Sequence, residues 1–243
     1  MEKKIKGVIG IMGGMGPLAT LDVYKKILEE TVKRGAEADQ DHIETVISIV
    51  PRTPDRTEAI FGRGEDPVPM LRKSAKRLES AGANFIIIAC NSAHHYYKEI
   101  KRSVSIPVVN GMQEVALYIK KNFGGVKRVG ILTTTGLIHS RIYHRILEKR
   151  GYKVLEPDRG IQENSVMKAI YLAKGTVSSF ILRSAEPLIE KAIIHLKGKG
   201  AEVIILGCTE IPLIIHDRER CGVPLVDFSR VLAVRAVELA VRC

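Results

Sequence analysis

Two cysteines at corresponding places in the sequence could work together as an acid and a base. Cys90 follows the apolar run 85–89, and Cys208 comes just after the run 203–206. A thiol can give up a proton, and its thiolate can accept one, when the pKa lies near the working pH. Inversion of a carbon stereocentre by proton transfer needs one such group on each face of the carbon. Two thiols that approach a ligand from opposite sides would suit this reaction.

An internal repeat relates the two cysteines. At an offset of about 117 to 120 residues the sequence matches itself in three stretches that keep the same order: 9–16 with 129–136, 82–91 with 200–209, and 106–110 with 223–227. The second match aligns Cys90 with Cys208. Three matches in register predict two duplicated halves built from the same elements.

The hydrophobic pattern predicts the elements that position the cysteines. Short, nearly continuous apolar runs alternate with helix-length segments such as 18–34, 67–81 and 182–198. The runs are 7–11, 45–50, 85–89, 107–109, 128–132, 153–155, 203–206 and 224–226. Such runs are typical of parallel strands that are buried on both faces, so the predicted fold class is α/β.

The repeat predicts two similar parallel-sheet α/β domains with the active site in the cleft between them. In this interpretation residues 1–110 together with 226–243 form the first half, and 111–225 form the second. The last helix, 228–242, corresponds to a helix at 111–122, and each would cross to the opposite half. Open α/β sheets bind ligands at the carboxyl ends of their strands, where both cysteines fall.

Each of the two cysteines is followed by a residue that could cap a helix, Asn91 or Thr209. A helix N-terminus lowers the pKa of a nearby thiol, so both sulfurs are expected to form thiolates readily. A single cysteine at a strand end is by default a small core residue, but the repeated pair favours the catalytic interpretation. Cys221 and Cys243 have no such context and are assigned no role.

Composition and charge exclude several classes of protein. Of the 243 residues, 45% are hydrophobic and 27% are charged, as in ordinary globular proteins. Apolar windows stay shorter than about 18 residues, and the four scattered cysteines fit neither a disulfide framework nor a zinc ribbon. We therefore expect a cytoplasmic protein with no membrane partner and no metal. The net charge of +11 is spread along helical segments without an aromatic stacking motif, which disfavours nucleic acid as a partner.

Several motifs together resemble the aspartate/glutamate racemase family over essentially the whole chain. They are Gly13-Gly14-Met15-Gly16-Pro17-Leu18-Ala19-Thr20, Pro54-Asp55-Arg56-Thr57, Gly62-Arg63-Gly64-Glu65-Asp66-Pro67, Cys90-Asn91-Ser92-Ala93-His94 and Gly207-Cys208-Thr209-Glu210. The resemblance implies a homodimeric amino-acid racemase that uses a thiol/thiolate pair and no cofactor, neither pyridoxal phosphate nor a metal. Within the family it favours aspartate as the substrate, with glutamate or a broader range of amino acids as the alternative.

The resemblance also implies roles for individual residues. Cys90 and Cys208 would be the acid/base pair, and Arg56 and Lys174 would bind the side-chain carboxylate of a dicarboxylic substrate. The region of the substrate's α-carboxylate and ammonium would be held by Asn91, Ser92, Thr134, Thr135 and Thr209.

The same motifs contain two further candidate positions, Met15 and Glu210, and one departure from the family pattern, at Ser92. Met15 lies in the glycine-rich loop 13–17, whose backbone N–H groups can point at an anion. Glu210 could hydrogen-bond the substrate ammonium or a neighbouring group. Ser92 stands where the family more usually has Thr, which keeps the hydroxyl but removes a methyl and so alters the shape of the pocket.

Three rival interpretations remain open. Gly14-x-Gly16-x-x-Ala19 after a strand, with Asp39 further on, partly fits a dinucleotide-binding fingerprint. Cys90 and His94 lie one helical turn apart and could belong to a cysteine hydrolase or to half of a metal site, although His94 and His95 are rather expected on a helix surface or behind the site. The two halves could also form a non-catalytic ligand-binding protein. None of these needs the second cysteine.

Overall fold

The computed structural model describes residues 7–242, so Cys243 lies outside the described residues. The first sheet consists of β1 (Ile9–Gly13), β2 (Thr45–Ile49) and β3 (Phe85–Ile88) in the order β2-β1-β3, and all neighbours are parallel. The prediction of a strand at 107–109 was wrong. Only an isolated parallel bridge joins Val108 to Ile86. Pro107 has no N–H to donate, which limits the pairing at this edge.

The second sheet has five strands, and its parallel part was predicted. They are β4 (Arg128–Leu132), β5 (Lys153–Leu155), β6 (Val203–Leu206), β7 (Glu219–Arg220) and β8 (Val223–Asp227). Their order is β5-β4-β6-β8-β7, with all pairs parallel except β7 and β8. The two polar residues of β7 carry no apolar pattern from which a strand could be predicted.

Helices connect the strands. They are α1 (Pro17–Lys33), α2 (Arg56–Ile60), α3 (Val68–Ser80), α4 (Tyr97–Lys101), α5 (Gly111–Asn122), α6 (Thr135–Ser140), α7 (Ile142–Glu148), α8 (Arg159–Ile161), α9 (Lys168–Ala173), α10 (Ser179–Gly198), α11 (Ile211–Ile214) and α12 (Phe228–Arg242). A 3₁₀ turn at Asp39–Asp41, a 3₁₀ helix at Ser92–Tyr96 and a π-helical segment at Gln162–Met167 complete the described elements. Within residues 7–242, no helix is long and apolar enough to cross a membrane.

Both faces of the parallel strands are buried, which explains their continuous apolar runs. In β1, Ile9 and Ile11 join a core that also contains Val129 and Ile131 of β4. The intervening Met12 points into a separate core on the other face of the first sheet. One hydrophobic core therefore runs from the first sheet to the second.

The helices α5 and α12 contribute to this shared core. The helix α5 packs against α7 and α12, while α12 also packs against α1. Buried side chains such as Val115 of α5 and Val237 of α12 lie in the same core as both sheets. The domain boundaries, 1–110 plus 226–243 and 111–225, stay a prediction.

Candidate functional site

Cys90 and Cys208 lie just beyond the carboxyl ends of strands in different sheets, β3 and β6. Both are buried, with 4% and 5% of their surface exposed. Cys90 packs among apolar side chains that include Met15, whereas Cys208 packs in a separate core with Met167. Each cysteine is thus buried against a core at the sheet edge where parallel α/β folds form their ligand crevice.

The buried side chain of Tyr143 connects the two cysteine loops. Its hydroxyl donates a hydrogen bond to Asn91 Oδ1 at 2.5 Å. The same ring lies against Gly207, where an added Cβ would come within 3.1 Å of it. Tyr143 therefore contacts the residue after Cys90 and the residue before Cys208. It carries no sequence signal, because a tyrosine in a helical segment does not reveal a partner 52 positions away.

A second contact brings together two of the predicted site hydroxyls. Ser92 Oγ lies 3.1 Å from Thr134 Oγ1, and both side chains are buried. Thr134 precedes α6, where its Oγ1 accepts a hydrogen bond from the backbone N–H of Leu137 at 3.4 Å. Thr135 stands apart from this pair, and its backbone N–H donates to the sulfur of Met167 at 3.3 Å.

The thiol of Cys208 is bonded to a buried carboxylate. It donates to Glu210 Oε2 at 3.0 Å, and the hydroxyl of Thr209 donates to the same oxygen at 3.3 Å. Burial, the negative charge of Glu210 and this hydrogen bond raise the pKa of Cys208 well above its ordinary value. The ligand-free protein therefore holds Cys208 as a thiol.

This corrects the expectation that helix N-termini activate both sulfurs. The helix after Cys208 is α11, which has only four residues and is preceded by Glu210 instead of Thr209. Asn91 precedes a 3₁₀ helix and makes no capping hydrogen bond with its side chain. Burial of the thiol and the carboxylate in contact with it outweigh the weak dipole of one helical turn, so the pKa of Cys208 moves up and not down.

Arg56 is buried at the start of α2, with its guanidinium aimed at the glycine-rich loop. It donates to the carbonyl oxygens of Thr53 at 3.0 Å, Pro54 at 2.8 Å and Met15 at 3.4 Å. These bonds fix the side chain and connect the predicted site residues Arg56 and Met15. Nothing in the sequence indicated that the arginine would be held by backbone carbonyls.

Lys174 lies just after α9, next to the turn that precedes α2. Its Nζ is 3.4 Å from Asp55 Oδ2. Burial works to lower the pKa of Lys174, but Asp55 and, less strongly, Cys208 and Glu210 raise it above its ordinary value. The ammonium is therefore charged and belongs to the same electrostatic cluster as Cys208.

Some buried polar atoms at these positions have no hydrogen-bond partner in the protein. Among the described residues they include Arg56 Nε, Asn91 Nδ2 and Glu210 Oε1. Such groups are uncommon in folded proteins, because each loses its water without compensation. Two are donors, which suit a carboxylate, and one is a carboxylate oxygen, which suits an ammonium group.

Glu210 Oε1 faces the glycine-rich loop. A Cβ at Gly16 would lie 3.2 Å from this oxygen. Both residues, together with Lys174 and Val177, line a cavity of about 150 Å³. The loop after β1 and the loop after β6 thus approach each other around an unpaired carboxylate oxygen.

His94 is fully buried and contacts the backbone of Cys90, so of the two expected positions it lies behind the cysteine and not on a helix surface. Its Nδ1 donates to the carbonyl oxygen of Cys90 at 2.9 Å, and its Nε2 accepts the backbone N–H of Gly111 at 3.1 Å. Burial lowers the pKa of His94 to about 4. Both ring nitrogens are occupied, so His94 can neither activate a cysteine nucleophile nor bind a metal. The exposed His95 lies outside this arrangement.

The conformation of the glycine-rich loop 13–17 disfavours the dinucleotide interpretation. The backbone N–H of Gly14 donates to Thr20 Oγ1 at 2.9 Å, so it is not free for a pyrophosphate. Gly14 has φ +89°, and a Cβ there would lie 2.3 Å from the backbone nitrogen of Val50. The glycine serves close packing inside the protein. Across residues 7–242, no group of three or more His, Cys, Asp or Glu side chains could hold a metal ion.

Comparison with known proteins finds one family profile and several racemases. The profile of the Asp/Glu/hydantoin racemase family matches residues 12–236. The broad specificity amino-acid racemase RacX of Bacillus subtilis is 30% identical over 95% of this chain and 96% of its own length. Aspartate racemase of Picrophilus torridus superimposes with a TM-score of 0.80, at 32% identity over 96% of this chain and 94% of that one.

A further solved structure, an aspartate racemase homologue from Pyrococcus horikoshii, superimposes with a TM-score of 0.72. It is 28% identical, and the match covers 96% of this chain and 99% of the other. The likeness therefore extends over both sheets and is not limited to one motif.

Proposed function

Because the chain belongs to the Asp/Glu/hydantoin racemase family and is therefore an isomerase, we propose that it racemises free amino acids, aspartate foremost, without a cofactor. Cys90 and Cys208 are the acid/base pair. The observation that carries the proposal is the pair of buried thiols at equivalent strand ends, each followed within two residues by a buried polar atom that lacks a partner, Asn91 Nδ2 or Glu210 Oε1. A zwitterionic ligand would supply the partners these groups lack.

The reaction exchanges one proton for another at the α-carbon. The Cys90 thiolate removes the α-proton, forming an S–H bond as the C–H bond breaks. The Cys208 thiol then delivers its proton to the opposite face, forming the new C–H bond and leaving a thiolate. This order follows from the hydrogen bond of Cys208 to Glu210, which favours the protonated form of Cys208 before the substrate reacts. The reverse turnover starts from the Cys208 thiolate.

The substrate is held by its charged groups. Arg56 and Lys174 bind the side-chain carboxylate, the first through its unpaired Nε and the second as a point charge. Glu210 Oε1 accepts a hydrogen bond from the α-ammonium. The α-carboxylate region is held by the polar side chains of Asn91, Ser92, Thr134, Thr135 and Thr209. The loop that contains Met15 contributes its backbone N–H groups.

The test is proton NMR of the protein with L-aspartate in D₂O and no added cofactor, alongside circular dichroism of the amino acid. We expect the α-proton signal and the optical activity to decay together. Cys90→Ala and Cys208→Ala should each abolish racemisation, because one face of the carbon then has no proton donor or acceptor. The matched control is Cys221→Ala, a half-buried cysteine outside the site, which should retain full activity. Full racemisation by either Cys90→Ala or Cys208→Ala would contradict the two-thiol mechanism.

A broader substrate range is the second candidate. It is supported by 30% identity, over 95% of the chain, to a relative named as a broad specificity racemase. Rates with glutamate and alanine in the same NMR assay separate the two possibilities. Binding of amino acids without loss of the α-proton in any of them would instead favour a non-catalytic binding protein.

Two further properties follow from the sequence, the homodimer from the family resemblance and the location from the composition. We propose that the protein is a homodimer and that it works in the cytoplasm. Light scattering coupled to gel filtration tests the first, and fractionation of the producing cells tests the second. A monomer that retains full activity would contradict the proposed homodimer.

A further inference from the structure

Asp55 divides the two oxygens of its carboxylate between two elements. Oδ1 accepts the backbone N–H groups of Thr57 at 2.7 Å and Glu58 at 3.1 Å, which caps α2. Oδ2 lies 3.4 Å from Lys174 Nζ. One oxygen thus fixes the start of α2, and the other forms an ion pair with a residue 119 positions away.

The ion pair lies at the edge of the site, partly shielded from water. The side chain of Lys174 is 25% exposed and that of Asp55 is 36% exposed. Lys174 Nζ also lies 5.0 Å from the centre of the Tyr171 ring. Burial works to raise the pKa of Asp55, but Lys174 and the capping amides lower it below its ordinary value. Both partners are therefore charged in the ligand-free protein.

The charge of Lys174 is already balanced before any substrate arrives. A dicarboxylic amino acid brings a second carboxylate to the same ammonium and must compete with Asp55. A neutral amino acid brings none, and the ammonium keeps its counter-ion. Without Asp55, a neutral side chain would face a partly desolvated, unpaired cation, which is unfavourable.

We propose that Asp55 is a specificity-determining residue that neutralises Lys174 and so opens the side-chain pocket to amino acids with uncharged side chains. This rests on the proposed function, in which Lys174 faces the substrate side chain. Asp55 acts through Lys174 and is a positioning residue, since it needs no contact with the reacting atoms. It sets the balance between dicarboxylic and neutral substrates.

The sharpest variant is Asp55→Asn. The amide oxygen can still accept the N–H groups of Thr57 and Glu58, so the cap of α2 is retained while the charge is removed. We expect KM for aspartate to fall and KM for alanine to rise. The ratio of kcat/KM for aspartate to that for alanine should increase about fivefold, the effect of a partly exposed ion pair.

Two controls separate this role from a structural one. Asp41 is exposed and accepts the backbone N–H groups of Glu37 and Ala38 at 3.0 Å each, so Asp41→Asn is the same substitution in a similar hydrogen-bond setting. It should leave the ratio unchanged. Asp55→Asn in a Lys174→Gln background should also leave the ratio unchanged, because the residue through which Asp55 acts is gone.

A constant ratio in Asp55→Asn, or a shift towards alanine, would overturn the inference. So would an equal shift in the Lys174→Gln background. Calorimetric binding of succinate and butyrate to the wild type and to Asp55→Asn provides a readout that needs no turnover. If Asp55→Asn binds succinate more tightly but the protein racemises no amino acid, the role of Asp55 is supported and the proposed racemase activity is contradicted. If the protein racemises amino acids but Asp55→Asn leaves the ratio unchanged, the racemase activity is supported and the role of Asp55 is contradicted.

Discussion

The sulfur of Cys208 lies 3.0 Å from Glu210 Oε2, two residues further along the chain, and the thiol donates a hydrogen bond to that carboxylate. Burial raises the pKa of Cys208 most, and this contact with Glu210 raises it further, so the two together keep Cys208 protonated. The contact also distinguishes the two cysteines, which the repeat in the sequence presents as equivalent. The difference between them can be tested directly.

Glu210→Gln should make Cys208 more acidic. Burial and the Glu210 charge both raise the pKa of this thiol, and the substitution removes the second cause while keeping the size of the side chain. The pH midpoint for alkylation of Cys208 by iodoacetamide, followed on its peptide by mass spectrometry, should therefore move to lower pH.

The alkylation of Cys221 provides the control within the same sample. Its midpoint should stay where it is in the wild type, because Cys221 lies outside the pair formed by Cys208 and Glu210. An unchanged or higher midpoint for Cys208 in Glu210→Gln would show that the carboxylate does not hold the thiol protonated.

His94 should make the fold sensitive to mild acid. Its pKa is lowered by burial from 6.5 to about 4, so between these values the unfolded chain binds a proton that the folded protein does not. The free energy of unfolding must then fall as the pH drops from 6.5 to 4, by an amount on the order of 3 kcal/mol. Urea unfolding at a series of pH values measures this slope.

Two comparisons assign the slope to His94. In His94→Gln the slope should be smaller, while His216→Gln, which removes an exposed histidine, should leave it unchanged. If His94→Gln does not fold, NMR of the wild-type imidazole decides the matter. A ring that gains its second proton near pH 6.5 in the folded protein would contradict the prediction.

The sequence predicted the framework of the site well, because the framework depends on local pattern. Continuous apolar runs located β1, β3, β4 and β6, and the repeat located Cys90 and Cys208 just after the equivalent strands β3 and β6. Burial of both strand faces leaves a signal in every residue of such a strand. The prediction of a strand at 107–109 was wrong because Pro107 lacks the N–H group that an extended strand pairing would need.

The interactions of the site depend on contacts that no local pattern encodes. The ion pair of Asp55 with Lys174 spans 119 positions, and each residue alone looks like an ordinary cap or helix end. The predicted sign of the pKa shift at Cys208 was wrong because the thiol is buried and because the side chain of Glu210 contacts the sulfur, neither of which spacing can reveal. Fold class follows from periodicity, but the charge state of a buried group requires its neighbours.

Tyr143→Phe should weaken both stability and activity. The substitution removes the hydroxyl that donates to Asn91 Oδ1 and leaves this buried oxygen without that donor, at a cost of about 1–3 kcal/mol in the free energy of unfolding. Asn91 adjoins Cys90, so a looser amide also displaces the substrate relative to the thiol. We expect kcat/KM for racemisation to fall about tenfold.

Tyr97→Phe is the matched control for Tyr143→Phe. The hydroxyl of Tyr97 donates to the carbonyl oxygen of Val108 at 2.9 Å, a residue that belongs to neither cysteine loop. Its loss should lower the free energy of unfolding without a comparable loss of kcat/KM. Urea unfolding and the racemisation assay on both variants separate the two effects. If both variants lose activity equally, Tyr143 contributes to stability alone, since its position between the loops then has no consequence for catalysis.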